Sequence, residues 1–143
     1  MPTMTILRAS YRPLIARRAV RRRERGSSSI QMVMLMPALF SIMFLGMQGA
    51  LYYHARTVAI AAAQEGARAA GGENGTAAVG ISAASSFVSD AGGMDVLPQA
   101  HLTGSRSATI ATVTVTGTSL SVIPGWSPAV SQSASVPVER ITR

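Results

Sequence analysis

Residues 30–53 carry no charged side chain, and a dense arginine cluster directly precedes them. At a rise of ~1.5 Å per residue, these 24 positions make a helix of roughly 36 Å, enough to cross a hydrocarbon core of about 30 Å with some tilt. Arg17, Arg18, Arg21, Arg22, Arg23 and Arg25 stand before the run, and the next charge after it is Arg56. Arginines resist translocation and meet anionic head groups, so the pattern predicts one membrane crossing with the arginine-bearing end in the cytoplasm.

The charge distribution repeats that division. The formal net charge is +7, and eight of the thirteen basic residues, all arginines, lie in the first 25 positions against one acid, Glu24. From Gly26 onward five arginines face five acids, so the positive charge belongs to the leader and not to a folded domain. Lysine is absent, which is read as GC-rich coding and a bacterial origin. The absence of cysteine excludes disulfides, thiolate metal sites and Cys nucleophiles. A chain of 143 residues leaves room for one small domain beyond the apolar run.

Three rival readings of this region are disfavoured. Clustered arginines also bind nucleic acid, but here no aromatics interleave with them and they abut an apolar span, which disfavours that partner. A twin-arginine export signal is disfavoured by the length of the span. A cleaved secretory signal would have an apolar core of about 7–15 residues; an Ala61-Ala62-Ala63 site lies far downstream, inside what reads as helix. Retention of the span is the expectation.

Within the span, Ser41, Gly46 and Gly49 are small enough for close helix approach. Gln31 and Gln48 are expected near the two interfaces with no special partner. Tyr52 and Tyr53 mark the outer boundary. Pro37 removes one backbone hydrogen bond and is expected to kink or loosen the helix.

Residues 54–70 are dominated by alanine, the strongest helix former, so the helix is expected to continue as a projecting stalk. Val58, Ala61, Ala62, Glu65 and Ala69 share one face, and Gly71-Gly72 is expected to supply a left-handed C-cap. Residues 76–91 predict a second, weakly amphipathic helix capped by Thr76, with Val79, Ile81, Ala84, Phe87 and Val88 on its apolar side. Three strands are predicted at residues 96–103, around Ile110 to Val115, and at 130–138, where Pro137 demotes the strand end to a sheet edge. Trp126, in the loop Ile123-Pro124-Gly125-Trp126-Ser127-Pro128, is expected to pack over the core, with a place at a contact surface as the alternative. The fold class is therefore α+β and membrane-anchored: a long helix, a short one, and a small antiparallel sheet of about three strands. The organisation reads as a basic cytoplasmic leader (1–29), a transmembrane helix (30–53), a helical stalk (54–72) and a small extracytoplasmic region (73–143). So small a region needs to pack against the stalk or against other subunits.

No catalytic constellation is present. His54 and His101 are far apart in sequence and are read as structural, buried or interfacial. The serines lack a nucleophile elbow, and Asp90 with Asp95 is too little to hold a metal. No cofactor, small-molecule substrate or enzymatic activity is expected.

The segment Arg25-Gly26-Ser27-Ser28-Ser29-Ile30-Gln31, the apolar run with Pro37, Tyr53, and Gln64-Glu65-Gly66-Ala67-Arg68-Ala69-Ala70 together resemble the TadE-like proteins of tight-adherence pilus systems. The likeness covers residues 21–72, and Glu65-Gly66-Ala67-Arg68 lies in its most specific part. The resemblance implies a minor pilin or pseudopilin, whose partners are other pilin-like subunits, membrane assembly components and the bilayer. It further implies prepilin-peptidase cleavage between Gly26 and Ser27. Gln31 occupies the position where the family usually has glutamate; its amide hydrogen-bonds but supplies no charge attraction. Glu65 and Arg68 are expected to form a weak exposed pair, with Gly66 admitting a neighbouring helix at a subunit contact. The expected function is thus a single-pass subunit contributing to pilus or secretion-apparatus assembly. The alternatives are a generic anchored domain that binds an extracellular or wall ligand, and a soluble protein released after Ala63.

Overall fold

The structure, a computed structural model, describes residues 24–139, with side chains from residue 29 onward. It divides into two units whose boundary falls between Ser41 and Ile42, inside the first helix. That helix, α1, spans Glu24–Gly71. By length and composition, it is the one helix among the described residues able to cross a membrane.

In the first unit every large apolar side chain from Ile30 to Phe40 is exposed. Helix formation there is local, each residue closing its own backbone bonds, so nothing in the chain needs to cover it. Pro37 sits inside the helix without ending it, and the Ser41 hydroxyl donates to the Pro37 carbonyl at 2.8 Å.

The second unit is a two-layer α+β arrangement. α2 (Ala77–Asp90) and three strands, β1 (His101–Arg106), β2 (Ile110–Thr118) and β3 (Ala129–Pro137), accompany the carboxyl-terminal part of α1. The sheet is an antiparallel meander in the order β1-β2-β3. Its alternation sorts the side chains cleanly. Ala111, Val113, Val115 and Val130 face inward and are buried, while Thr112, Thr114 and Thr116 pair across with Ser135, Ser133 and Ser131 on the outer face. Two of these pairs are hydrogen-bonded, Thr112 with Ser135 at 2.7 Å and Thr114 with Ser133 at 2.9 Å.

The core joins Ala55, Ala59, Ala62, Ala63 and Ala70 of α1 to Ala84 and Val88 of α2, Leu97, and the inward face of the sheet. Small side chains let the layers approach closely. A Cβ placed on Gly66 would lie 2.6 Å from the Gly80 carbonyl oxygen, 2.9 Å from Ala84 Cβ and 3.1 Å from a methyl of Val113. The helices therefore cross at a Gly66–Gly80 contact that no larger residue fits.

α2 begins where predicted. The Thr76 hydroxyl accepts from the Val79 amide at 3.1 Å, satisfying one orphan donor of the first turn. Its buried stripe is Gly80, Ala84 and Val88; Val79 is exposed and Ile81 half-buried, so the stripe is narrower than the expected one. Gly92, at φ 117°, turns the chain out of the helix.

α1 continues unbroken through residues 54–70, as expected, and eight of its residues from Ala55 to Ala70 are buried against the rest of the second unit. Three further expectations are corrected. Glu65 points outward, and the inward face runs instead through Ala55, Ala59, Ala62, Ala63 and Ala67. The end of α1 is not a left-handed glycine cap: among the described glycines only Gly92, Gly93 and Gly125 have positive φ. The first strand starts at His101 rather than Val96, because residues 93–95 form a 3-10 turn and Gln99 adopts φ 56°. Leu97, fully buried, plugs the gap beside Gly117 instead of joining the sheet. β2, β3 and the edge position of Pro137 agree with expectation.

Candidate functional site

The polar groups of the second unit converge at two junctions with α1. The first is Gln48. Although it follows a run of exposed apolar residues, it is only 2% exposed. Its Nε2 donates to the Leu120 carbonyl at 3.1 Å, while its Oε1 accepts from the Val122 amide at 3.0 Å and the Ser121 hydroxyl at 3.1 Å. One amide side chain thus substitutes for a ladder partner to the loop 119–128 between β2 and β3. Ser121 supports the arrangement: its single hydroxyl proton has two acceptors in reach, Gln48 Oε1 and the Ile123 carbonyl at 2.7 Å, and its oxygen accepts from the Ile123 amide at 3.1 Å. The loop then reverses through Ile123-Pro124-Gly125-Trp126, with the Trp126 amide on the Ile123 carbonyl at 3.2 Å. Proline and a glycine at φ 78° are the residues a type II turn asks for at its two central positions.

Beside this latch lies an open, mainly apolar cleft of about 310 Å³, lined by Leu45, Gln48, Gly49, Tyr52, Trp126, Pro128 and Ala129. Trp126 is 49% exposed at its rim, which agrees with the contact-surface alternative and not with packing over the core.

The second junction is Arg106. Its Nη1 donates to the carbonyls of Ala70 at 2.5 Å and Gly72 at 2.9 Å, and also contacts that of Gly75. Ala70 lies in the last turn of α1, where carbonyls lack helical partners and a cation complements the helix dipole, and Gly72 and Gly75 belong to the turn that follows. This side chain is the physical replacement for the glycine cap. The Glu139 amide adds a bond to the Gly71 carbonyl at 3.0 Å. Neither Gln48 nor Arg106 was singled out for these roles from sequence.

The residues that were singled out do not form one site. Gly26 and Ser27 fall in the first turn of α1, and their side chains lie outside the described residues. Gln31 is exposed within the apolar stretch. Glu65 and Arg68 form the expected pair at 3.4 Å, exposed on the surface. An exposed pair of this spacing contributes about 0.2–0.5 kcal/mol. Gly66 and Ala67 face the opposite way, into the core, so the close helix approach at Gly66 is made by α2 of the same chain rather than by another subunit. His54 and His101 are both exposed, which removes the buried alternative of their reading and leaves the interfacial one. Among the described residues, no cluster of three or more His, Cys, Asp or Glu is placed to hold a metal ion. What the arrangement offers is contact surface: a lipid-like face on α1, an apolar cleft beside it, and a hydroxyl-lined sheet face.

The family model described as TadE-like protein matches residues 26–68. That stretch opens at Gly26, takes in the apolar segment, and ends at Arg68, covering Glu65-Gly66-Ala67-Arg68. The resemblance drawn from the residues is therefore borne out over the greater part of α1. No curated protein and no solved structure matches the chain.

Proposed function

We propose that this chain is a minor pilin or pseudopilin-like subunit of a tight-adherence pilus or related secretion apparatus, anchored by a single membrane helix and acting through subunit contacts. The observation that carries the reading is a coincidence of position. The TadE-like match at 26–68 falls on the helix that leaves its large apolar side chains exposed from Ile30 to Met47. An apolar surface of that extent is not stable in water and calls for lipid or for equivalent helices of neighbouring subunits. The arginine cluster before it directs the leader inward and residues 54–143 outward.

Release of a soluble domain after Ala63 is disfavoured. Ala62 and Ala63 are buried in mid-helix against the core, so cutting there would remove part of the domain's own packing. Cleavage between Gly26 and Ser27 would preserve the anchor and the domain alike.

The test is purification of the tagged full chain in mild detergent from its native cells, followed by intact-mass measurement and identification of associated proteins. Pilin-like subunits and membrane assembly components are expected to accompany it, with a mass corresponding to residues 27–143 in the cleaved form. A chain recovered alone, or in the soluble fraction, would overturn the reading.

A further inference from the structure

We infer that the loop of residues 119–128 is a membrane-seating element: Gln48 latches it against α1 at the lipid boundary, and Trp126 lies in the interfacial layer of the bilayer. The occupant of the cleft beside it is phospholipid, and the hydrocarbon core ends near Gln48 rather than at Tyr53. This inference rests on the single-pass anchor proposed above and adds to it where the membrane stops.

The first argument is polar satisfaction. In hydrocarbon, each unpaired backbone amide or carbonyl costs several kcal/mol, so lipid-exposed irregular backbone does not occur there. An irregular loop touches α1 at Gln48, yet the composition of α1 stays uncharged for a further turn and a half, to Tyr53. Its turn at Pro124-Gly125-Trp126 is exposed. The loop must therefore sit at the edge of the hydrocarbon, which draws that edge back to Gln48. The shortened span still suffices: the 18 residues from Ile30 to Met47 rise about 27 Å, close to a hydrocarbon thickness of about 30 Å.

The second argument is continuity of the apolar surface. Phe44, Leu45 and Met47 are exposed on α1, and the lining passes from Leu45 to Tyr52, Pro128 and the exposed Trp126. Leu120, also exposed, belongs to the same loop. No charged residue occurs anywhere from residue 107 to 138, so nothing in the loop demands full hydration. Tryptophan and tyrosine, apolar rings with one polar atom, are the side chains favoured at this depth. The cleft is thus an extension of the lipid-facing surface, and lipid is what fills it.

Trp126 is the only tryptophan, so its fluorescence reports the loop without labelling. The full chain is reconstituted into phosphatidylcholine vesicles carrying bromine either near the head group or near the chain end, and the vesicles are floated. The expected result is co-flotation, emission blue-shifted from that of indole in water, strong quenching by shallow bromine and weak quenching by deep bromine. In Gln48→Ala, which unlatches the loop without touching the indole, the shallow quenching is expected to fall and quenching by aqueous iodide to rise. A chain that floats while Trp126 emits as in water, quenched by iodide and by neither brominated lipid, overturns this inference and leaves the anchor intact. Unchanged quenching in Gln48→Ala overturns the latch. A chain that does not float removes the anchor reading, and this inference with it.

Discussion

Gln31 and Gln48 are the same side chain in the same apolar run, and only their surroundings separate them. Gln31 is exposed, whereas Gln48 is buried and bonds a loop up to 74 positions away in sequence. Gln48→Leu would leave the Val122 amide and Leu120 carbonyl without that partner, a cost of roughly 1–3 kcal/mol for each group that stays buried. Accelerated proteolysis within 119–128 is expected in detergent, while Gln31→Leu should leave the cleavage pattern unchanged. No local pattern distinguishes the two positions, because the partner that buries Gln48 becomes its neighbour only after the sheet forms. The glycines give a parallel contrast. A methyl on Gly66 meets backbone and Cβ atoms that have no rotamer to escape into, but at Gly46 it meets nothing within 4 Å. Gly66→Ala should therefore lower stability by about 1–3 kcal/mol through overpacking, and Gly46→Ala should shift the thermal midpoint negligibly.

Among the elements, legibility follows how much contrast the sequence carries. β2 was readable because Thr and Val alternate, and α2 because a capping threonine precedes it after a turn. The inward face of α1 was not, since a segment made mostly of alanine has almost no hydrophobic contrast around its circumference. Which alanines are buried is decided by where α2 and the sheet dock, and Gly66 fixes that place. The end of α1 is a similar case: two glycines read as a left-handed cap, but a distant arginine does the capping. All the Arg106 contacts fall on one nitrogen, so they demand a compact donor and not the two-pronged geometry of a guanidinium. Arg106→Lys should accordingly retain most of the stability, whereas Arg106→Met should lose roughly 1–3 kcal/mol by removing this donor from the Ala70, Gly72 and Gly75 carbonyls. Denaturation of the two variants side by side checks this. Equal losses would show that the charge itself contributes little and that the guanidinium geometry matters.

At the scale of the whole molecule, two opposite solvents shape one chain. The apolar segment leaves its large side chains exposed, while the second unit turns Thr112, Thr114, Thr116, Ser131, Ser133 and Ser135 to its outer surface. The first suits lipid and the second suits water, and the topology proposed above puts the hydroxyl-bearing sheet in the water outside the cell. The absence of cysteine makes this arrangement directly measurable, because any introduced thiol is the sole reactive one. Ser133→Cys places a thiol at the middle of the edge strand on the outer face, at a site bonded only to neighbouring hydroxyl and carbonyl oxygens. In intact spheroplasts a membrane-impermeant maleimide should label Ser133→Cys fully, and, in cells without prepilin peptidase so that the leader is retained, Ser10→Cys only after lysis. Labelling of Ser10→Cys alone before lysis would invert the topology and place the domain in the cytoplasm. That outcome would set aside the pilus-subunit reading, because an outward domain is what lets this chain meet other subunits beyond the membrane.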